Sequence, residues 1–259
     1  MRRIRAFLGP ILLAAGTVPG TAFGAGWGLV GADLNFWAQE GSGVLRSDAG
    51  GTPGSLIDLE RSLGLDTDVE LPDGRVWLGA AGVRFVVSYY DSEYAGPAVL
   101  QENLTFNGQT FTSGETVDSR VETSVVGVYY FQSLLPVPRV DFGFQVGVDI
   151  VDLFAVMEST TSGRESVDET LPLPVAGLHF GIQPVPQLRI YADLSGMSAT
   201  VDGSDYDLLD GRAQLEWRFR RVAGVHAGYR WFDVQVESDS LGRLDSRQAG
   251  PFVGMNVRF

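Results

Sequence analysis

Histidine occurs twice in this chain, at His179 and His226, and imidazole is the side chain most suited to act as a general base near neutral pH. Reading alternate positions along the segments around them places Asp33, Arg84, Asp141, Asp149, His179, Arg189, Asp193, Arg212, Glu216, Arg218, Arg230 and Arg258 on one common face. Mixed charge on such a face does one of two things. Long arginines paired with acids fill a confined interior as a hydrogen-bonded plug, or the same charges line a narrow aqueous path and tune its ion selectivity. No serine, histidine and acid can be assembled into a nucleophilic triad, so catalysis is not expected. Two acidic runs, Asp66-Thr67-Asp68-Val69-Glu70 and Asp202-Gly203-Ser204-Asp205-Tyr206-Asp207, offer oxygen ligands at tight spacing. Neither completes a calcium loop, because Leu71 stands where glycine is required and the distal glutamate is missing. Asp66, Asp68 and Glu70 are therefore read first as solvated acids, and no metal or cofactor is expected. Gly26-Trp27-Gly28-Leu29-Val30-Gly31 fits a dinucleotide fingerprint formally, but no strand precedes it and no helix follows.

The elements that position the charged face are strands of period two. From Leu209 to Phe219 the odd positions are apolar or small, while Asp210, Arg212, Gln214, Glu216 and Arg218 lie between them. From Val140 to Ile150 the even positions are apolar and face away from Asp141, Gly143, Gln145, Gly147 and Asp149. The same test marks Trp27–Gln39, Arg75–Gly79, Val83–Glu93, Thr116–Gln132, Leu171–Gln183, Leu188–Val201, Val225–Glu237 and Gln248–Phe259. Together these make ten strands, with Leu71-Pro72-Asp73-Gly74 interrupting the second, so that eight is the fallback. Alternation over about ten residues, apolar outward and polar inward, is the pattern of a transmembrane antiparallel up-and-down β-barrel.

Connection lengths agree. Short turns fall at 79–82, 134–139, 184–187 and 220–224, and longer connections at about 40–74, 95–115, 159–169, 202–206 and 238–247. An even strand count places both termini on the side of the short turns. Tyr129, Phe131, Phe142, Phe180, Trp217, Phe219 and Phe259 cluster near those turns and are expected to point outward as an interfacial aromatic girdle. A looser set, Phe36, Tyr89, Tyr229 and Trp231, is expected at the opposite interface. Asn107-Gly108 predicts a hairpin turn between Leu104–Phe106 and Phe111 that extends the wall.

Arg2, Arg3 and Arg5 precede the apolar run Phe7 to Val18, and Ala22-Phe23-Gly24 supplies small residues for cleavage, so residues 1–24 read as a signal peptide. The barrel domain is then 25–259. Cysteine is absent, which leaves an exported chain without disulfides or thiolate metal sites. Every basic residue is arginine, and without the leader 16 of them face 32 acids. A net charge of −16 follows, which repels nucleic acid.

The last strand, Gly250 to Phe259, ends on an aromatic carboxylate and resembles the closing strand of outer-membrane β-barrels. Gly254, Val257 and Phe259 stand at the spacing of the assembly machinery's recognition signal, while Phe252 replaces a usual polar residue. Further, Ile57-Asp58-Leu59-Glu60-Arg61-Ser62-Leu63-Gly64-Leu65, Ser88-Tyr89-Tyr90-Asp91 and Phe106-Asn107-Gly108-Gln109-Thr110-Phe111 resemble a proteobacterial family of small outer-membrane barrel proteins with no assigned activity. The resemblance implies residence in the outer membrane of a Gram-negative bacterium, with periplasmic termini. It implies outer-membrane lipids, lipopolysaccharide and the barrel-assembly machinery as partners. Divalent bridging from the acidic loops to lipopolysaccharide is a secondary reading. The function expected is a structural, surface-interaction or narrow-channel role without catalysis; a porin-like passive pore and an outer-membrane hydrolase or acyltransferase are the alternatives. Against an enzyme, both histidines fall near the periplasmic end, whereas known protease and lipid A modifying barrels place their catalytic groups at the outer mouth or in the outer leaflet.

Overall fold

A computed structural model describes residues 29–49, 53–80, 82–135, 137, 139–201, 203–220, 222–238 and 242–259. The leader over 1–24 and Trp27 lie outside the described residues. Ten long strands form the wall: β1 (Val30–Ser47), β3 (Asp68–Ala80), β4 (Val83–Val99), β7 (Thr116–Ser133), β8 (Val140–Ser159), β9 (Gly163–Val185), β10 (Leu188–Val201), β11 (Ser204–Arg218), β12 (Ala223–Ser238) and β13 (Gly242–Arg258). Three short strands, β2 (Ile57–Asp58), β5 (Leu104–Phe106) and β6 (Gln109–Phe111), belong to two connections. Each wall strand runs antiparallel to its neighbours, and β13 closes on β1 with Gly31 opposite Arg258 and Trp37 opposite Phe252. Closure removes the free sheet edges that a bilayer cannot tolerate. The seam is finished by Phe259, whose amide donates to the Val30 carbonyl at 2.8 Å.

Alternation decides the two faces. Along β1, Leu34 and Phe36 are exposed while Asp33, Asn35, Trp37 and Gln39 are buried. The same parity on the other strands turns Val76, Phe85, Val87, Val128, Leu178, Ile190, Leu215, Val253 and Met255 outward into a continuous apolar belt. Beyond the level of Tyr89 the outward residues change to Asp91, Ser124 and Asp152, which are mutually close through the pairs Asp91↔Ser124 and Ser124↔Asp152. β9 has 23 residues, about twice what a tilted strand needs to cross a bilayer. The wall therefore rises well above its apolar belt.

Strand extension corrects several sequence expectations. β3 runs from Asp68, so Leu71-Pro72-Asp73-Gly74 lies inside the strand rather than breaking it. Pro72 is tolerated because β3 pairs with β4 only from Asp73 onward. The long connection expected over 159–169 is a turn between Ser159 and Gly163, which face each other in the ladder. Gly163, Gly203 and Gly242 have φ of +88°, +80° and +103°, the left-handed backbone that tight hairpins demand. Two connections remain long, 48–67 and 100–115.

The second of them does not extend the wall as expected. Asn107 and Gly108 do form a hairpin turn, with φ of +47° and +81°, but β5 and β6 make a separate two-stranded sheet. Leu104, Phe106 and Phe111 are buried with Ile57, Leu59, Leu63 and Leu65 from the first loop, against Leu45, Tyr94, Val121, Leu153 and Met157 of the wall. The Ser55 amide joins the two connections by donating to the Thr105 carbonyl at 2.7 Å. Apolar side chains in both loops leave water only by folding inward, so the hairpin becomes a roof.

Candidate functional site

The interior is the site, and it is stacked in three tiers along the barrel axis. Nearest the termini, Arg84 pairs with Asp141 at 3.4 Å, and Asp141 also accepts from Ser133 at 2.5 Å and lies 3.2 Å from His179 Nε2. Glu216 gathers Arg258, Arg218 at 3.3 Å and Arg189 at 3.9 Å. Arg75 grips Asp193 with both terminal nitrogens, at 3.3 and 3.4 Å. Such forked pairs orient the guanidinium as well as neutralising it.

The middle tier centres on Asp73. Its carboxylate accepts from Arg212, from Arg230 at 2.9 Å and from Asn35 at 3.2 Å. Arg230 also reaches Asp210 at 3.2 and 3.3 Å and lies over the rings of Trp37 and Tyr90, 5.0 and 4.4 Å from their centroids. Arg212 lies 4.8 Å from the centroid of Phe252. That contact gives a physical role to the aromatic found where closing strands usually carry a polar residue. His226 bonds Asn35 through Nε2, and Asn256 lies 3.3 Å from its Nδ1. Trp37, Tyr90, Val125, Val151, Leu173, Phe232 and Val234 then form an apolar disc around the arginine faces.

Above the disc, Gln39 donates to Tyr94 and, at 3.4 Å, to Ser92, and the roof of loop residues closes the far end. Two cavities among the described residues hold about 10 Å³ each, room for about one water apiece.

Eleven of the twelve charged or imidazole residues placed inward from sequence are buried in the interior; Arg218, at 15% side-chain exposure, reaches it from the rim. Sequence reading missed Asp73 and Arg75 and, although it set Asp210 on the polar face of β11, left that residue out of the inward set; all three are buried. Asp73 and Arg75 share parity with Trp77, a signal hidden because Pro72 and Gly74 suggested a break. The girdle needs one correction. Phe142, Phe180, Trp217, Phe219 and Phe259 face outward, but Tyr129 and Phe131 are buried in the lumen. Tyr129 donates to Asp149, and Phe131 stands between Arg84, 5.2 Å from its centroid, and His179, 5.3 Å away. Tyr130 takes the outward place and packs edge-on to Phe85 with ring centroids 5.5 Å apart.

Asp66, Asp68 and Glu70 do not converge. Asp66 caps the Asp68 amide at 3.1 Å, and no group of three or more His, Cys, Asp or Glu side chains among the described residues is placed to hold a metal ion. Among the described loop residues, the acid with the most hydrogen-bond donors is Glu115. It accepts from the Thr112 amide at 3.2 Å, from the Thr112 hydroxyl, and from Ser159 and Ser162 at 2.8 Å, tying the second long connection to the β8–β9 turn. These donors hold its carboxyl down, from 4.5 to about 2. A depressed carboxyl stabilises the fold fully above its ordinary range and loses that contribution as pH falls through the folded value. Hydrogen exchange at 112–115 and 159–163, corrected for intrinsic rates, should thus stay protected down to about pH 5 and approach the Glu115→Gln variant near pH 2. Equal protection in the two proteins at neutral pH would show that the clamp orders nothing.

A closed ten-stranded wall, an apolar outer belt and a charge-filled interior define a β-barrel of the outer-membrane type. The outer membrane protease OmpT from Escherichia coli has a similar fold, with a TM-score of 0.61 at 9% identity over 93% of this chain and 99% of that one. The translocator domain of the autotransporter NalP from Neisseria meningitidis aligns with a TM-score of 0.47 at 14% identity over 88% of each chain. Ail of Yersinia pestis aligns with a TM-score of 0.40 at 12% identity, over 89% of this chain and 99% of that one. No protein-family model matches the sequence, and neither does any curated protein.

Proposed function

We propose that this chain is a closed outer-membrane barrel whose role is exercised by its surface, without solute conduction and without catalysis. The observation that carries the reading is the double filling of the interior: a paired arginine–carboxylate lattice around Asp73 and, beyond it, a roof of loop side chains such as Phe106 and Phe111 that are 1% and 0% exposed. Fixed charges permit ion flow only where water reaches them. In this reading the short turns and both termini are periplasmic and the roofed end is extracellular. Lipids and lipopolysaccharide surround the belt, and the assembly machinery reads Gly254, Val257 and Phe259 during insertion.

The fold shared with a protease invites a hydrolytic reading. Against it, His179 is enclosed by Asp141 and Phe131 and His226 by Asn35 and Asn256, both in the half nearest the termini and below the apolar disc. A substrate outside the cell has no path to either ring.

The purified, folded protein in planar bilayers is expected to stay silent while running on a gel at a mobility that changes on boiling. Reproducible stepwise conductance from the heat-modifiable form rejects the closed barrel in favour of a passive pore. Recovery in the soluble periplasmic fraction rejects the membrane assignment.

A further inference from the structure

The wall is complete near the termini but parted at the roofed end in two places, between β9 and β10, whose ladder stops at Gly196↔Ala176, and between β3 and β4. Their ladder stops at Asp73↔Tyr90, although β3 continues back to Asp68 and β4 forward to Val99. Continuing the register would set Pro72 opposite Asp91 and Glu70 opposite Glu93. Proline brings no donor to a ladder, and like charges directly opposite each other oppose pairing. The parting is thus written into the sequence. From Asp91 to Val99, β4 pairs with β7 alone, and among the described residues no backbone-to-backbone hydrogen bond joins this stretch to the loops, although Gln101 Nε2 donates to the Val99 carbonyl at 3.1 Å.

A free edge is a template for another strand. Its inner side is already covered, since Tyr94 is buried in one cluster with Leu59, Leu63 and Leu65 of the first long connection. Its outer side is acidic: Asp91, Glu93 and Glu70 are exposed there, and Glu122 stands opposite Glu93 on β7. Arg120, bridging Glu93 at 3.3 Å and Glu122 at 2.9 Å, offsets part of this charge. We propose that the β4 edge from Asp91 to Ala95, ending before Pro97, which brings no donor, accepts an extended, arginine- or lysine-rich segment of a partner protein as an added strand. Backbone pairing supplies the register, and the carboxylates select a cationic partner and speed its arrival.

The inference rests on the surface role proposed above, but its test uses the purified barrel, so a failure here leaves the closed, silent barrel standing. A fluorescent peptide of alternating arginine and valine, as long as the edge, is titrated by anisotropy against the full protein in neutral detergent. The expected result is saturable binding that raises amide protection at Asp91, Glu93 and Ala95. Binding should weaken about tenfold or more when the peptide amides are N-methylated, when its arginines are replaced by glutamates, or when Pro72→Val with Glu70→Arg lets β3 close on β4. Glu93→Gln, which leaves the wall sequence otherwise intact, should weaken binding in the same direction. Absence of binding overturns the proposal. So does binding that N-methylation or seam closure leaves unchanged, because adhesion by charge alone needs neither edge nor register.

Discussion

Asp73→Ala is expected to destabilise the folded barrel by about 3–5 kcal/mol, the loss typical of stripping one partner from a buried ion cluster. Three side chains depend on this carboxylate: Arg212, Arg230 and Asn35. Arg230 keeps Asp210, so its charge stays compensated. Arg212 keeps the face of Phe252 but loses its ion pair with Asp73, and an uncompensated guanidinium in a dry interior is the costly product. Urea unfolding of the detergent-folded protein, followed by tryptophan fluorescence, measures the loss. Asp73→Asn should cost nearly as much, because it retains shape and removes charge. Adding Arg212→Met to Asp73→Ala should restore part of the stability by removing the orphaned cation. If Asp73→Ala changes the midpoint by less than an ordinary surface substitution, the lattice around Asp73 is not what holds the middle of the barrel.

How much of this lattice was visible beforehand depends on how cleanly each strand alternates. β11 announces its faces, since Asp210, Arg212, Gln214 and Glu216 are separated by Gly211, Ala213 and Leu215. One residue of phase settles all of them. β7 does not, because Val125, Val126, Val128, Tyr129, Tyr130 and Phe131 are apolar on both faces. Its phase is fixed by small inward residues, Ser119, Thr123 and Gly127, and by what the lumen has room for opposite them. Gly127 and Gly147 leave the space that the Tyr129 ring fills, a complementarity between three positions on two strands that period counting does not register. Asp73 was hidden for a different reason: local turn propensity at Pro72-Asp73-Gly74 was outweighed by pairing of the whole segment with β1, from Asp68↔Glu40 to Leu78↔Val30. The roof was legible in composition but not in direction. Leucines and phenylalanines in the two long connections require burial, and only the barrel's own width shows that they turn in rather than cover one another outside.

Trp37→Ala tests the disc on which both charged and apolar tiers rest, and its expected cost is also about 3–5 kcal/mol. Trp37 is fully buried, packs edge-on against Tyr90 with centroids 5.5 Å apart, and donates Nε1–H to the Gly250 carbonyl at 3.2 Å across the closing pair of strands. Truncation removes the ring, the face presented to Arg230 and a hydrogen bond between β1 and β13 in one step. The cavity left behind lies between the Asp73 lattice and the Gln39–Tyr94 contact, both polar, so water entering it would be held by partners rather than expelled. The variant should therefore lose stability and, unlike Asp73→Ala, gain water in the middle of its axis, seen as faster hydrogen exchange at the inward residues of β12 around Phe232. Trp37→Phe keeps most of the ring and drops the donor to Gly250, and it should recover most of the stability while leaving the exchange slow. If instead Trp37→Phe is as damaging as Trp37→Ala, the hydrogen bond across the closing seam, not the filling of the disc, is what this residue contributes.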